Sequence, residues 1–150
     1  MKKCFLIDKN TLMLKSVFTG VYKSKIIKTY GVYYSPLSVQ QLLANACIPY
    51  ASTLEGRIQA IKKMMNYFVK TPLLIDPNGI AAFPTISYKN LECVWIFNHH
   101  FEVESLGKGK SKVTFSNGEA YIVHVSKNVL LKQKQRLHAT IDTYRTIHRD

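Results

Sequence analysis

The sequence predicts an α+β fold: antiparallel sheets, two central helices and a long C-terminal helix, in a single domain over residues 1–150. Three observations predict it. Short apolar or alternating runs recur along the chain and are bounded by turn residues, as strands are. Two stretches in the middle and one at the end change to the 3.6-residue period of amphipathic helices. Asn-Gly occurs at Asn78-Gly79 and Asn117-Gly118, where positive φ is easily adopted, so the flanking runs pair as hairpins. With 150 residues, 47% of them hydrophobic, the chain can bury a core of its own.

Cys4 to Ile7, Thr11 to Phe18 and Val21 to Ile27 read as strands, with turns at Asp8-Lys9-Asn10 and Thr19-Gly20; Gly31 to Tyr34 reads as another. Ser35-Pro36 then predicts a helix start, with Ser as N-cap and Pro in the first turn. Val39, Leu42, Leu43 and Ala46 share one face of that helix, and Pro49 closes it. Ser52-Thr53-Leu54-Glu55 fits a capping box. The helix behind it carries an apolar stripe at Leu54, Ile58, Ile61, Met65 and Phe68, with Gln59, Lys62, Lys63, Asn66 and Lys70 opposite.

Leu73-Leu74-Ile75 suits a buried strand, Asp76-Pro77-Asn78-Gly79 a turn, and Ile80 to Phe83 a return strand stopped by Pro84. Glu92 to Phe97 is apolar and aromatic, again strand-like. Lys112 to Ser116 alternates, and across Asn117-Gly118 the return strand runs from Glu119 to Val125. Ser126 caps the last helix, Lys127 to His148, with a stripe at Leu130, Leu137, Ile141, Tyr144 and His148. Lys132 and Arg136 fall on one shoulder of that stripe, and Lys134, Arg145 and Arg149 on the other. Such a division fits a packing helix whose charges reach outward better than one that reads a groove.

The formal charge is +12, from 21 Lys/Arg and 9 Asp/Glu. Residues 1–70 contribute +9, residues 71–126 −1 and residues 127–150 +4. The excess sits on predicted folded elements and not on a tail. A folded domain this basic meets a polyanion, nucleic acid first; a solvated basic surface, an anionic membrane or an acidic protein are the other readings.

No apolar stretch is long enough to span a membrane. The N-terminal run breaks at Asp8, which argues against a signal peptide and places the protein in the cytoplasm, with the nucleoid. Cys4, Cys47 and Cys93 have no zinc-ligand spacing and read as buried free thiols. A metal-dependent nuclease would need clustered carboxylates beside a lysine. Asp76 and Glu92 could approach on neighbouring strands, but Glu92-Cys93-Val94 lacks that lysine. His99 and His100, as strand neighbours, would face opposite ways and could not share a metal. The chain is therefore expected to be no enzyme, with no catalytic residues, metal or cofactor. A general RNA-binding module and a protein-only interaction partner complete the alternatives.

Several spaced pieces form a pattern: Ser24-Lys25-Ile26-Ile27, Cys47, Ser52-Thr53, Gly56-Arg57, Asp76-Pro77, Phe83-Pro84-Thr85, Cys93-x-Trp95-Ile96, His100 and Thr114 to Gly118. Over roughly residues 20–125 this pattern resembles the competence transcription factor family (ComK). The resemblance implies a regulator that binds paired AT-rich boxes through the minor groove of double-stranded DNA, acts as an oligomer and activates DNA-uptake genes. RNA polymerase or a longer family member would be further partners, and no membrane is involved. Familiar members continue into a longer C-terminal tail tied to activation and degradation, whereas this chain ends at Asp150. The alternative expectation is therefore a modulator that binds a longer relative without activating, or a general nucleic-acid binder.

Minor-groove readers use Arg, Lys, Asn or Gln to sense groove width. The candidate DNA-binding face is Arg57, Lys62, Lys63 and Lys70, joined by the glycine-hinged loop with Lys108, Lys110 and Lys112, and then by Lys132, Lys134 and Arg136. The family-like Gly-Arg pair makes Arg57 the candidate groove reader; the competing reading is an ion pair with a carboxylate such as Asp76. Trp95 and Phe83, in apolar runs, read as core more than as wedges. Tyr30, Tyr33 and Tyr34 present rings at a surface or at a dimer seam.

Overall fold

The apolar and alternating runs resolve into two antiparallel sheets in the computed structural model, which describes residues 6–149. The larger sheet has six strands: β1 (Thr11–Ser16), β2 (Ser24–Lys28), β3 (Gly31–Ser35), β4 (Leu73–Asp76), β5 (Ile80–Pro84) and β6 (Trp95–Phe97). Their order across the sheet is β3-β2-β1-β6-β5-β4. The smaller sheet is a meander of β7 (Phe101–Gly107), β8 (Lys110–Phe115) and β9 (Ala120–Val123). Three α-helices complete the fold: α1 (Val39–Cys47), α2 (Leu54–Met65) and α3 (Lys127–Ile147).

The large sheet is covered on both faces. On one side Leu14, Ile26, Leu73, Ile75, Trp95 and Phe97 pack against Val39, Leu43, Leu54 and Ile58 of α1 and α2. On the other, Met13, Ile27, Leu74, Phe83 and Ile96 pack against Phe101, Val113 and Phe115 of the small sheet and Leu130, Leu137 and Ile141 of α3. Burial on both faces is why β4 and β6 read as continuous apolar runs with no polar alternation. Trp95 and Phe83 are core residues, as read from the sequence.

Several boundaries differ from expectation, each for a local reason. The first helix starts at Val39, not after Ser35. Ser38 accepts from the Gln41 amide while the Gln41 side chain accepts from the Ser38 amide, a complete capping box. Ser35 instead ends β3, and its hydroxyl accepts from Leu37 N. At α2 the cap is Thr53, bonded to Gly56 N, and Glu55 reaches not back to the cap but to the Tyr88 hydroxyl at 2.8 Å. The predicted stripe of α2 ends early, because Asn66 turns left-handed (φ 57°) and leaves Phe68 outside the helix. Met65 is half-buried.

Strand β6 is confined to three residues, and β7 was not expected. His99 and His100 precede β7 and are not on a strand; their rings meet Lys9 O and the Glu102 carboxylate respectively. The glycine-hinged loop is shorter than predicted, because Lys110 and Lys112 belong to β8. On α3, His148 is exposed and stacks on Tyr144, while Gln133 and Thr140 complete the buried stripe. Cys4, in the first expected strand, lies outside the described residues, and Leu6 and Ile7 are not in a strand. Cys47 and Cys93 are free and buried, and burial pushes both thiols up, so they are protonated.

Candidate nucleic-acid interface

The loop between α2 and β4, residues 66–70, brings most of the candidate cations together. Lys62 and Lys63 occupy the last turn of α2, and the Lys62 carbonyl accepts from the amides of Asn66 and Tyr67. Asn66 and Lys70 are both left-handed, at φ 57° and 50°; asparagine takes that conformation readily as the helix C-cap, whereas lysine holds it only where surrounding bonds impose it. Those bonds come from α3. Gln133, 1% exposed, donates its amide to Lys70 O at 2.9 Å and to Pro84 O at 2.8 Å. Arg136 donates to Val69 O at 2.9 Å and to Lys70 O at 3.4 Å, and also bonds the Gln133 side-chain oxygen. Its guanidinium lies 4.0 Å over the Tyr67 ring, whose hydroxyl donates back to Arg136 O.

Lys132 is exposed one turn before the half-buried Arg136 on the same side of α3, so Lys62, Lys63, Lys70, Lys132 and Arg136 surround one loop. None of them has an ion-pair partner among the described residues. Residues 56–75 and 120–141, which frame the loop, contain no Asp or Glu.

The other candidates lie elsewhere. Arg57 is drawn inward: it donates to Leu74 O at 2.7 Å and sits 5.4 Å over the Tyr50 ring. Tyr50 in turn donates to Asp76, so the tyrosine stands between arginine and carboxylate. Its guanidinium is thus held against β4, away from the lysines around loop 66–70. Lys134 turns the other way from Lys132, its ammonium 4.6 Å over the Phe101 ring of β7. Lys108, Lys110 and Lys112 occupy the β7–β8 hairpin, where Lys112 meets Glu104 at 3.8 Å.

Two lysines went unnoticed in the sequence. Lys15 of β1 and Lys25 of β2 are directly opposite in register, and Tyr34 of β3 is next in the row. Like charges so placed repel, and neither has a carboxylate partner among the described residues. Their signal was the alternation of Lys23, Lys25 and Lys15 with apolar or small residues. Tyr33 and Tyr34 are exposed along edge strand β3 and Tyr30 in the turn before it, with Tyr22 and Tyr34 rings 5.7 Å apart.

Residues 2–148 match the sequence model described as ComK protein. The chain belongs to the ComK family. It is 30% identical over 126 residues to the competence transcription factor of Bacillus subtilis (strain 168), covering 83% of this chain and 66% of that protein, just under two thirds of its length. No solved structure matches the chain. The relative is named as a transcription factor and not as an enzyme, which argues against the nuclease reading. Among the described residues, no helix is long and apolar enough to cross a membrane.

Proposed function

We propose that this protein is a DNA-binding transcription regulator of competence genes that prefers AT-rich boxes, approaches them through the minor groove and acts as an oligomer. The observation that carries the reading is the cluster of four lysines and Arg136 around loop 66–70, none of them ion-paired among the described residues, in two stretches devoid of acids. A duplex offers a regular array of phosphates to such a cluster, and each neutralised phosphate releases counterions. Narrow A-tract grooves add a negative potential that favours cations further. Kinship with a competence transcription factor supports the same reading. In this arrangement Lys62, Lys63, Lys70 and Lys132 form the principal contact, with Arg136 adding its charge while bracing the loop, and Lys15 and Lys25 or the Lys108–Lys110–Lys112 hairpin form a second one.

Fluorescence anisotropy across a salt series, with one A/T-tract duplex and one GC-rich duplex of equal length, tests this. Tight binding to the tract duplex, displaced by distamycin, is expected. Lys63→Glu with Lys132→Glu should weaken it at least about tenfold and flatten the salt slope by roughly 2; Lys108→Glu with Lys110→Glu tests the hairpin separately. Equal binding to both duplexes would reduce the protein to a nonspecific polyanion binder, and no binding would discard the reading.

A further inference from the structure

We infer that Phe68, at the tip of loop 66–70, is an apolar wedge that enters between two stacked base pairs of the bound duplex; the inference rests on the DNA-binding reading above. Phe68 is 77% exposed, the most exposed large apolar side chain among the described residues, and Val69 beside it is 66% exposed. In water such a pair contributes little to the fold.

The loop that presents it is braced. Asn66 and Lys70 fix its two ends in left-handed geometry, and the carbonyls of Val69 and Lys70 are tied to Arg136 and Gln133 of α3. Tyr67 turns inward beneath the Arg136 guanidinium while Phe68, the next residue, turns outward. The ordering cost of a projecting side chain is thus largely met before binding.

Charge selects the occupant. The tip is surrounded by Lys62, Lys63, Lys70, Lys132 and Arg136, with no acid in either framing stretch. An apolar partner protein would have to desolvate those cations without recompense. A duplex supplies phosphates on both sides of a base step and an aromatic stack at its centre. Minor-groove proteins that insert an apolar side chain unstack one step and bend the helix toward the major groove. Flexible TA steps within an AT-rich site unstack most readily.

The test uses the full chain and an A/T-tract duplex labelled at both ends for energy transfer, with 2-aminopurine at a central TA step. The wild-type protein should raise both energy transfer and 2-aminopurine fluorescence. Phe68→Ala should return both to free-duplex values and lose roughly 5- to 150-fold in affinity, the range of one lost base–aromatic stack, with an unchanged salt slope. Phe68→Leu should keep the bend. Because Phe68 is exposed, the urea midpoint of each variant should match wild type. Bending by Phe68→Ala as strong as wild type, or wild-type binding without bending, overturns the wedge while leaving the DNA reading intact. Absence of wild-type binding overturns both. Loss of self-association or of binding to phosphatidylserine vesicles in Phe68→Ala, with bending preserved, would make the tip a protein or lipid contact and likewise refute the wedge.

Discussion

Replacing Gln133 by leucine should destabilise the fold by about 2–4 kcal/mol. Gln133 is 1% exposed and donates to two backbone carbonyls, Pro84 O at 2.8 Å and Lys70 O at 2.9 Å. Leucine fills a similar volume, so the change isolates hydrogen bonding from cavity formation. The buried Pro84 carbonyl then loses its side-chain donor, and leaving such a group unsatisfied costs about 1–3 kcal/mol. The Lys70 carbonyl keeps only the 3.4 Å contact from Arg136, a further loss of about 0.5–1.5 kcal/mol. For a chain of this size, the sum lowers Tm by roughly 5–15 °C. Urea unfolding followed by the fluorescence of Trp95, the single and fully buried tryptophan, reads the change directly. The midpoint should fall with the slope unchanged, whereas Gln135→Leu, on the exposed side of the same helix, should stay within about 0.5 kcal/mol. A loss below about 1 kcal/mol for Gln133→Leu would refute the reasoning, because it would mean that the two carbonyls find other donors at little cost.

Two more outcomes follow from local geometry. Tyr88 donates to Glu55 at 2.8 Å, and burial, then that bond and the carboxylate charge, push its hydroxyl up to about 12 from 10. A raised acid contributes stability that is complete below pH 10 and disappears as pH climbs through about 12. Tyr88→Phe should therefore be less stable than wild type by about 0.5–1 kcal/mol at pH 8. The gap should close between pH 10 and 12 in paired urea titrations, and a gap independent of pH would contradict the linkage. Gly118 closes the β8–β9 turn at φ +87° with open space around it, so Gly118→Ala meets no clash but adopts a strained backbone. Thermal unfolding should show a loss of about 1–2 kcal/mol; a neutral result would mean that the turn relaxes into another type.

The hairpins were legible because their turns carry chemistry: Asp76 to Gly79 and Asn117-Gly118 sit between strands where expected. Strand β7 was legible too, in the alternation of Phe101, Val103 and Ser105 with Glu102 and Glu104, yet it went unread beside the glycine-hinged loop that follows. Helix ends were harder. Ser35 and Ser38 both look like caps, and only the Gln41 side chain, three residues past Ser38, tells them apart. At Phe68 the apolar period ran on past Asn66, whose left-handed turn nothing in the periodicity announces. The cation cluster was half visible. Lys62, Lys63 and Lys70 share a stretch of sequence, but their meeting with Lys132 and Arg136 depends on how α3 crosses the sheet. The partner of Arg57 was hidden for the same reason, since its guanidinium finds a carbonyl on β4, seventeen residues along the chain.

The strand order carries a consequence for how the chain assembles. β1, β2 and β3 pair through short connections, and so do β4 and β5, so each group can form as soon as its own residues are available. Neither group pairs with the other. They become one sheet only through Trp95–Phe97, which hydrogen-bonds β1 on one side and β5 on the other. A segment of three residues is therefore the keystone, and it arrives after both of the parts it joins. The closing event links positions more than eighty residues apart, Met13 with Ile96, and such non-local closure is slow. Until it occurs, the inner edges of both groups, β1 and β5, are left with unpaired backbone. The nascent chain thus passes through a stage with two open strand edges, a liability that the finished fold conceals at its centre.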